Sequence, residues 1–356
     1  TNRVGTAEFV DFCRRTGAEP LYCVNFLSDG EKRYASTPEG DRRGDALEAA
    51  DWVDYANTPG HKERTAHGHP APFNIKLWQL GNETSYGTAC FKKDEAIEAT
   101  ITFAKAMRAR DPSIQLIGWG DNGWAADLLD RAGEYLDYVA VHMMGQTPLR
   151  QDTVLRGLRY QAEPEQAWNE LLEILPERVE KKLLAVEAVL EAKRAKAALA
   201  ITEGHLSLAP HNSNPILAEW LTGVYHARVF NLYQRHGARV KIATAADFNG
   251  TRWTTNAVMH QVPGGVSYLL PVGAVARLFK RCNGSQGIRV TSCPRDLDVA
   301  ASRAGDTFHL HVANLSFDQA TSATFAVAGR TIVGGRVWQI APESPRQEVS
   351  PLNPEV

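Results

Sequence analysis

Short apolar runs alternate with amphipathic stretches along the first two thirds of the chain, and this alternation limits the fold more than any other feature. The amphipathic stretches have the spacing of helices that bury one face. Apolar runs between such helices are typical of parallel strands covered on both faces. The runs lie at 20–25, 75–80, 114–118, 138–142, 199–202 and 240–246. A closed barrel needs eight strands. We therefore expect an α/β fold, a (β/α)8 TIM-type barrel that lacks its first two strands in this chain, with their segment upstream of Thr1.

The pattern of polar and apolar residues changes near residue 285. Polar and apolar residues then alternate between turn signals, which is typical of antiparallel strands with one solvated face. The predicted strands lie at 287–291, 307–313, 322–327 and 335–340. We therefore expect a barrel domain over residues 1–280 and an all-β sandwich over residues 281–356.

Composition excludes several classes of function. The chain has 356 residues with 39 basic and 41 acidic side chains, a formal charge of −2, and no basic run interleaved with aromatic residues. We therefore expect no nucleic-acid partner. No apolar stretch reaches the roughly 18 residues of a membrane span, so we expect no membrane partner.

Cysteine usage indicates the compartment. The five cysteines are an odd number and lack Cys-x-x-Cys spacing, which argues against a zinc site or a disulfide framework. Reduced thiols predict a cytoplasmic protein. Secretion stays open, because a signal segment would precede Thr1.

Two glutamates stand where apolar strands end. Glu83 follows the strand Leu77-Trp78-Gln79-Leu80, and Glu203 ends the strand Leu199-Ala200-Ile201-Thr202. Side chains at the carboxyl ends of barrel strands face the active-site mouth. Two carboxyl groups are what glycosidic cleavage requires, one to protonate the leaving oxygen and one to attack the sugar or activate water. The alternative is that each glutamate caps a helix or binds a surface arginine.

Other strand ends carry weaker candidates. Asn25 and Asp29 follow the first strand, and Trp119 follows the strand at 114–118. Trp119 is either a stacking platform for a sugar ring or a core residue. The charged run from Glu177 to Lys196 is opposite an apolar stripe, so we expect it to be a solvated helix face.

Several segments resemble one enzyme family, the family 51 glycoside hydrolases, most of which are α-L-arabinofuranosidases. The matching segments are TNRVGTAEF at 1–9, GAEP at 17–20 with Val24-Asn25, WQLGNE at 78–83 and YLLPVGA at 268–274. The resemblance runs from Thr1 to about Lys280. Gly81-Asn82-Glu83 is shared by the wider clan of barrel glycosidases, whereas the opening segment is more specific to the family.

The resemblance implies a retaining mechanism and roles for four residues. Glu83 would be the acid/base and Glu203 the nucleophile. Asn82 would hydrogen-bond the hydroxyl next to the anomeric carbon, and His142 would lie beside the nucleophile.

The chain departs from the family pattern around the predicted sugar pocket. Met143 and Met144 replace aromatic residues, Gly204-His205 replaces Trp-Asn, and Asp247 stands near the usual position of a glutamine. Because these changes alter the pocket wall and its charge, we expect an altered sugar specificity.

We therefore expect an exo-acting, retaining α-L-arabinofuranosidase-like enzyme that acts on oligosaccharides without a metal or organic cofactor. Two alternatives stay open: an endo-β-glycanase or other clan relative, and a non-catalytic carbohydrate-binding relative. For partners, a homo-oligomer and a second chain that supplies the first two strands both stay open.

Overall fold

The computed structural model of the chain describes residues 4–25, 36–37, 40–41, 44–86, 91–146, 149–210 and 213–354. Asp29 lies outside the described residues. The chain divides into two compact units. Unit 1 comprises Thr1–Val141 and Val186–Ala200, and unit 2 comprises His142–Ala185 and Ile201–Val356.

Helices and strands alternate over most of the chain. The strands are β1 (Leu21–Val24), β2 (Ser36–Thr37), β3 (Gly40–Asp41), β4 (Leu77–Leu80), β5 (Gln115–Trp119), β6 (Tyr138–His142), β7 (Gly145–Gln146), β8 (Ala198–Glu203), β9 (Leu206–Ser207), β10 (Val240–Ala243), β11 (Asp247–Gly250), β12 (Asn256–His260), β13 (Ser267–Leu269), β14 (Gln286–Ile288), β15 (Leu297–Ala304) and β16 (Thr307–Asn314). The helices are α1 (Thr6–Thr16), α2 (Ala46–Asn57), α3 (Lys62–Ala66), α4 (Lys93–Arg110), α5 (Ala125–Ala132), α6 (Pro164–Ile174), α7 (Lys181–Ala192), α8 (Gly223–Arg235) and α9 (Pro271–Arg281).

The parallel sheet of unit 1 confirms the predicted strands. β1 pairs with β4, β4 with β5, and β5 with β6, each pair parallel. The first residue of β8 continues this sheet, because the Ala198 amide donates to the carbonyl of Asp137. Trp78, Leu116 and Val139 are fully buried, as expected for strands covered on both faces.

Helices follow the strands of this sheet, as the amphipathic stretches predict. α1 ends at Gly17, whose φ of 69° is the left-handed conformation that glycine adopts readily. α2 begins after Asp45, whose carboxylate accepts from the amides of Leu47 and Glu48. α2 and α4 pack together. Their buried faces consist largely of small and apolar side chains.

Two helical regions depart from regular α-helix. A π-helical segment, Leu175–Glu180, joins α6 to α7. This segment contains Pro176, which lacks the amide that a regular helix would use there. Two short 3₁₀ turns, Pro215–Ala218 and Trp220–Thr222, precede α8, which starts at Gly223.

β10 is shorter than predicted. It joins the end of β8 through the Thr244 amide, which donates to the carbonyl of Ile201. Asp247 does not extend β10 but begins β11, in a three-stranded sheet with β12 and β13 that the sequence did not predict.

The C-terminal region contains the antiparallel sheet β14-β15-β16. β14 and β16 confirm two predicted strands, whereas β15 was not predicted. The strands predicted at 322–327 and 335–340 are wrong, because both ranges are described and neither is a strand. Several of their apolar residues are exposed, with Val337 86% accessible. The domain boundary at residue 280 stays a prediction.

One carboxylate fastens α8 to β15. Asp298 is only 10% exposed and accepts from Arg235 at 2.7 Å, Arg228 at 3.4 Å and the Asn231 amide at 2.8 Å. These donors occupy successive turns of α8, so one side chain fixes three points along the helix. The C-terminal sheet therefore stabilises this helix.

Among the residues that the structure describes, no helix is both long enough and apolar enough to cross a membrane.

We predict that Asp298→Ala lowers the free energy of unfolding by about 2–3 kcal/mol, because three donors lose a largely buried charged acceptor. Denaturant unfolding measures this change. The matched control is Asp306→Ala, since Asp306 is 94% exposed and pairs with Arg330 at 3.7 Å. The control should change stability by less than about 0.5 kcal/mol. Equal losses in the two variants would contradict the role assigned to Asp298.

Candidate active site

Unit 1 holds four of the predicted site residues at one edge of its sheet. Asn25 follows β1, Asn82 and Glu83 follow β4, and Trp119 ends β5. Because β1, β4 and β5 are parallel, their carboxyl ends share this edge. Asn25 is exposed and packs against Gly44, where a Cβ atom would lie 2.4 Å from the Asn25 amide nitrogen.

A tight turn presents Glu83. Gly81 and Glu83 both have positive φ, 73° and 50°. For a glutamate this conformation costs about 1–2 kcal/mol. The buried Gln79 amide steadies the turn by donating to the Gly81 carbonyl at 2.9 Å and to Asn82 Oδ1 at 3.2 Å. A strained residue held by its surroundings is a frequent feature of functional sites.

A hydrogen-bonded network that the sequence did not predict supports this edge. The Trp119 indole donates to Ser85 Oγ at 2.8 Å, and the Tyr86 and Trp119 rings pack in a T-shaped contact with centroids 5.4 Å apart. The Tyr86 hydroxyl donates to the buried Asp121 carboxylate at 2.5 Å. Trp119 is only 3% exposed, which favours the core alternative over a stacking platform.

Unit 2 places His142 beside Glu203, as the resemblance implies. His142 Nδ1 lies 3.6 Å from Glu203 Oε2. The imidazole is 1% exposed, whereas the Glu203 side chain is 40% exposed. The carboxylate therefore meets a buried imidazole on one side and is accessible on the other, which suits a group that must meet a substrate.

Lys182 reaches the same place from α7. Its ammonium group donates to the His142 carbonyl at 2.8 Å. This residue belongs to the charged run that the sequence predicts to be a solvated helix face, so that prediction is wrong at Lys182. The helical periodicity around Lys182 does not predict this contact, because the contact depends on how α7 packs.

Backbone hydrogen bonds hold the segment around Glu203 against the segment that follows β6. The Met143 amide donates to the Glu203 carbonyl, and the Gly145 amide donates to the His205 carbonyl, both at 2.9 Å. β7 and β9 then continue this pairing in parallel. The segments after β6 and β8 therefore remain aligned beyond the ends of those strands.

Two tyrosines of α8 pack against glycines in these segments. A Cβ at Gly145 would lie 2.1 Å from the Tyr225 hydroxyl, and one at Gly204 would lie 3.1 Å from the Tyr233 hydroxyl. Burial raises the pKa of both tyrosines, so both phenols stay neutral. The close packing explains why glycine, and not a large side chain, follows Glu203.

The remaining departures from the family pattern also lie in unit 2. Met143 is buried and Met144 is half-buried. Asp247 Oδ2 accepts from the Thr255 hydroxyl at 2.6 Å, and its Oδ1 lies 4.0 Å from His205 Nδ1. Two of the unusual residues, His205 and Asp247, therefore face each other.

Comparisons with known proteins fit this arrangement. Residues 1–161 match the sequence profile of the α-L-arabinofuranosidase 1 domain, a segment that includes Glu83 and His142. The resemblance to the family 51 glycoside hydrolases is confirmed. An intracellular exo-α-(1→5)-L-arabinofuranosidase of Halalkalibacterium halodurans is 33% identical over 156 residues, which cover 40% of this chain. The match spans 28% of that relative's length.

Solved structures of family 51 share the fold. The α-L-arabinofuranosidase AbfB of Bifidobacterium longum superposes with a TM-score of 0.73 at 17% identity, covering 99% of this chain and 73% of that one. The enzyme of Thermotoga petrophila superposes with a TM-score of 0.66 at 22% identity, covering 88% of this chain and 65% of that one. The fold is therefore a partial (β/α)8 barrel with a C-terminal β-sandwich region.

We predict that Gly204→Ala destabilises the protein, because the new Cβ would lie 2.4 Å from the Thr244 carbonyl oxygen. Overpacking of this kind costs about 1–3 kcal/mol. Gly334→Ala is the control, since a Cβ there meets nothing within 4 Å. Thermal unfolding of both variants measures the difference. Unchanged stability in Gly204→Ala would show that the segment has room to move.

Proposed function

We propose that this chain carries the catalytic groups of a retaining α-L-arabinofuranosidase that removes terminal arabinofuranosyl residues from oligosaccharides. The observation that carries the proposal is the pair formed by the half-exposed Glu203 and the buried His142. The second carboxyl group of the proposal is that of Glu83, which follows β4 within the segment that resembles the arabinofuranosidase domain.

The proposed reaction has two displacements. Glu203 attacks the anomeric carbon while Glu83 protonates the glycosidic oxygen, so the aglycone leaves and a glycosyl ester forms. Glu83 then removes a proton from water, which attacks the same carbon and releases Glu203. The configuration at the anomeric carbon is retained.

The surroundings of Glu203 support its role as the nucleophile. Its carbonyl accepts from the Met143 amide, and its carboxylate lies beside the His142 imidazole. The backbone carbonyl of His142 in turn accepts from Lys182. A nucleophile that is already held in place loses little conformational freedom when it attacks. This saving in entropy is a large part of enzymatic rate enhancement.

The strained turn supports the role of Glu83. A left-handed glutamate between a buried strand and a hydrogen-bonded turn is costly to maintain, and the Gln79 amide helps to maintain it. Asn82, which Gln79 also contacts, is exposed and would meet the hydroxyl next to the anomeric carbon.

We expect Glu203→Ala to abolish hydrolysis of 4-nitrophenyl α-L-arabinofuranoside, because no covalent intermediate can form. Glu83→Ala should lose about 10²- to 10⁴-fold on natural oligosaccharides. It should lose far less on the 2,4-dinitrophenyl glycoside, whose leaving group needs little protonation. Steady-state kinetics with the purified protein measure both effects.

Glu191→Ala is the matched control, because Glu191 is an exposed glutamate of α7 outside the proposed site. It should retain full activity. NMR of the first-formed product provides the second test, since the retaining mechanism gives the α-anomer. Inverted product, or equal losses in the control and Glu203→Ala, would contradict the proposal.

A further inference from the structure

A single peptide group connects Lys182 to the backbone of Glu203. The carbonyl of the His142–Met143 peptide accepts from the Lys182 ammonium group at 2.8 Å. The amide of the same peptide donates to the Glu203 carbonyl at 2.9 Å. In such a chain of hydrogen bonds each bond polarises the next, so a cation on the peptide oxygen makes the amide a stronger donor.

The residues that this peptide joins also meet through their side chains. His142 Nδ1 lies 3.6 Å from Glu203 Oε2, at the ends of β6 and β8. The backbone bond between Met143 and Glu203 sets how far the end of one strand extends past the other. It therefore also sets how closely the Glu203 carboxylate approaches the imidazole.

The helix that carries Lys182 is anchored close to this peptide. α7 follows directly on the π-helical segment Leu175–Glu180, which packs against β7. Leu175 and Val179 of this segment are buried, and so is Leu183 of α7. The half-buried Lys182 therefore extends from a fixed stretch of helix, with its apolar stem against packed protein. π-Helical segments of this kind are frequent at functional sites.

We infer that Lys182 is a positioning residue, which holds the nucleophile Glu203 ready for attack by binding the His142–Met143 peptide. The inference rests on the proposed function and adds to it a group from α7. A charged donor suits this role, because its hydrogen bonds are about twice as strong as those of neutral donors. Loss of the bond should therefore slow the attack on the sugar and leave substrate binding nearly unchanged.

The first test replaces the ammonium group and keeps the apolar stem. Lys182→Met should lower kcat on 4-nitrophenyl α-L-arabinofuranoside by about 10-fold, the lower end of the range for a hydrogen bond to a charged group. KM should change by less than about threefold. Lys182→Arg restores a charged donor and should recover most of the rate. A loss confined to KM, or an arginine variant no better than methionine, would overturn the inference.

The burst phase of the reaction separates positioning from stability. In Glu83→Ala the second displacement lacks its base, so the 2,4-dinitrophenyl glycoside should release dinitrophenolate in a burst. The rate of this burst measures the attack of Glu203. Lys182→Met in the same background should slow the burst by about 10-fold at full amplitude. A smaller burst at an unchanged rate would show only a loss of folded protein, and it would overturn the inference.

Lys181→Met is the matched control, because Lys181 is the preceding residue of α7 and is exposed. It should keep the burst rate and kcat of its parent protein. Equal losses in the variants of Lys181 and Lys182 would overturn the inference.

Amide hydrogen exchange tests the backbone connection without a substrate. The Met143 amide should exchange faster in Lys182→Met than in the wild type, because its bond to the Glu203 carbonyl is weaker. Unchanged exchange at Met143 would overturn the inference. Folded wild-type protein that cleaves no glycoside would overturn the proposed function and this inference together. Hydrolysis that Lys182→Met leaves unaffected would overturn the inference alone.

Discussion

The arrangement of unit 2 depends on a pair of backbone hydrogen bonds beyond the ends of β6 and β8. The amides of Met143 and Gly145 hold the carbonyls of Glu203 and His205 in register. A one-residue slip in such pairing would turn every side chain to the opposite face. Glu203 lies beside His142 at the ends of these strands. The same register continues as far as His205, whose Nδ1 lies 4.0 Å from Asp247 Oδ1.

The ends of β6 and β8 could be predicted because the physical signal is local, whereas β10 ends before the predicted residue 246. Each run of buried apolar residues ends where a polar side chain begins, and the structure ends β6 at His142 and β8 at Glu203. Burial on both faces requires such runs, so their ends mark the sheet edge. The candidate residues were therefore found without knowledge of their neighbours.

Features that depend on distant partners could not be predicted. The alternating residues at 335–340 have the pattern of a strand, but a pattern supplies no partner for their backbone groups. β15 is a strand although its sequence does not predict one. Its alanines at 300–301 have a weak preference for strands, but β14 and β16 supply its hydrogen bonds. The left-handed Glu83 likewise depends on Gln79 and the surrounding turn.

The tight space around Gly204 links two departures from the family pattern that stand far apart in the sequence. A tryptophan after Glu203 would meet the Thr244 carbonyl, a backbone group that no substitution removes. The connection from β10 to β11 would have to move first, and that connection leads directly into Asp247. A large side chain after Glu203 would therefore require the segment between β10 and β11 to move, and Asp247 would move with it.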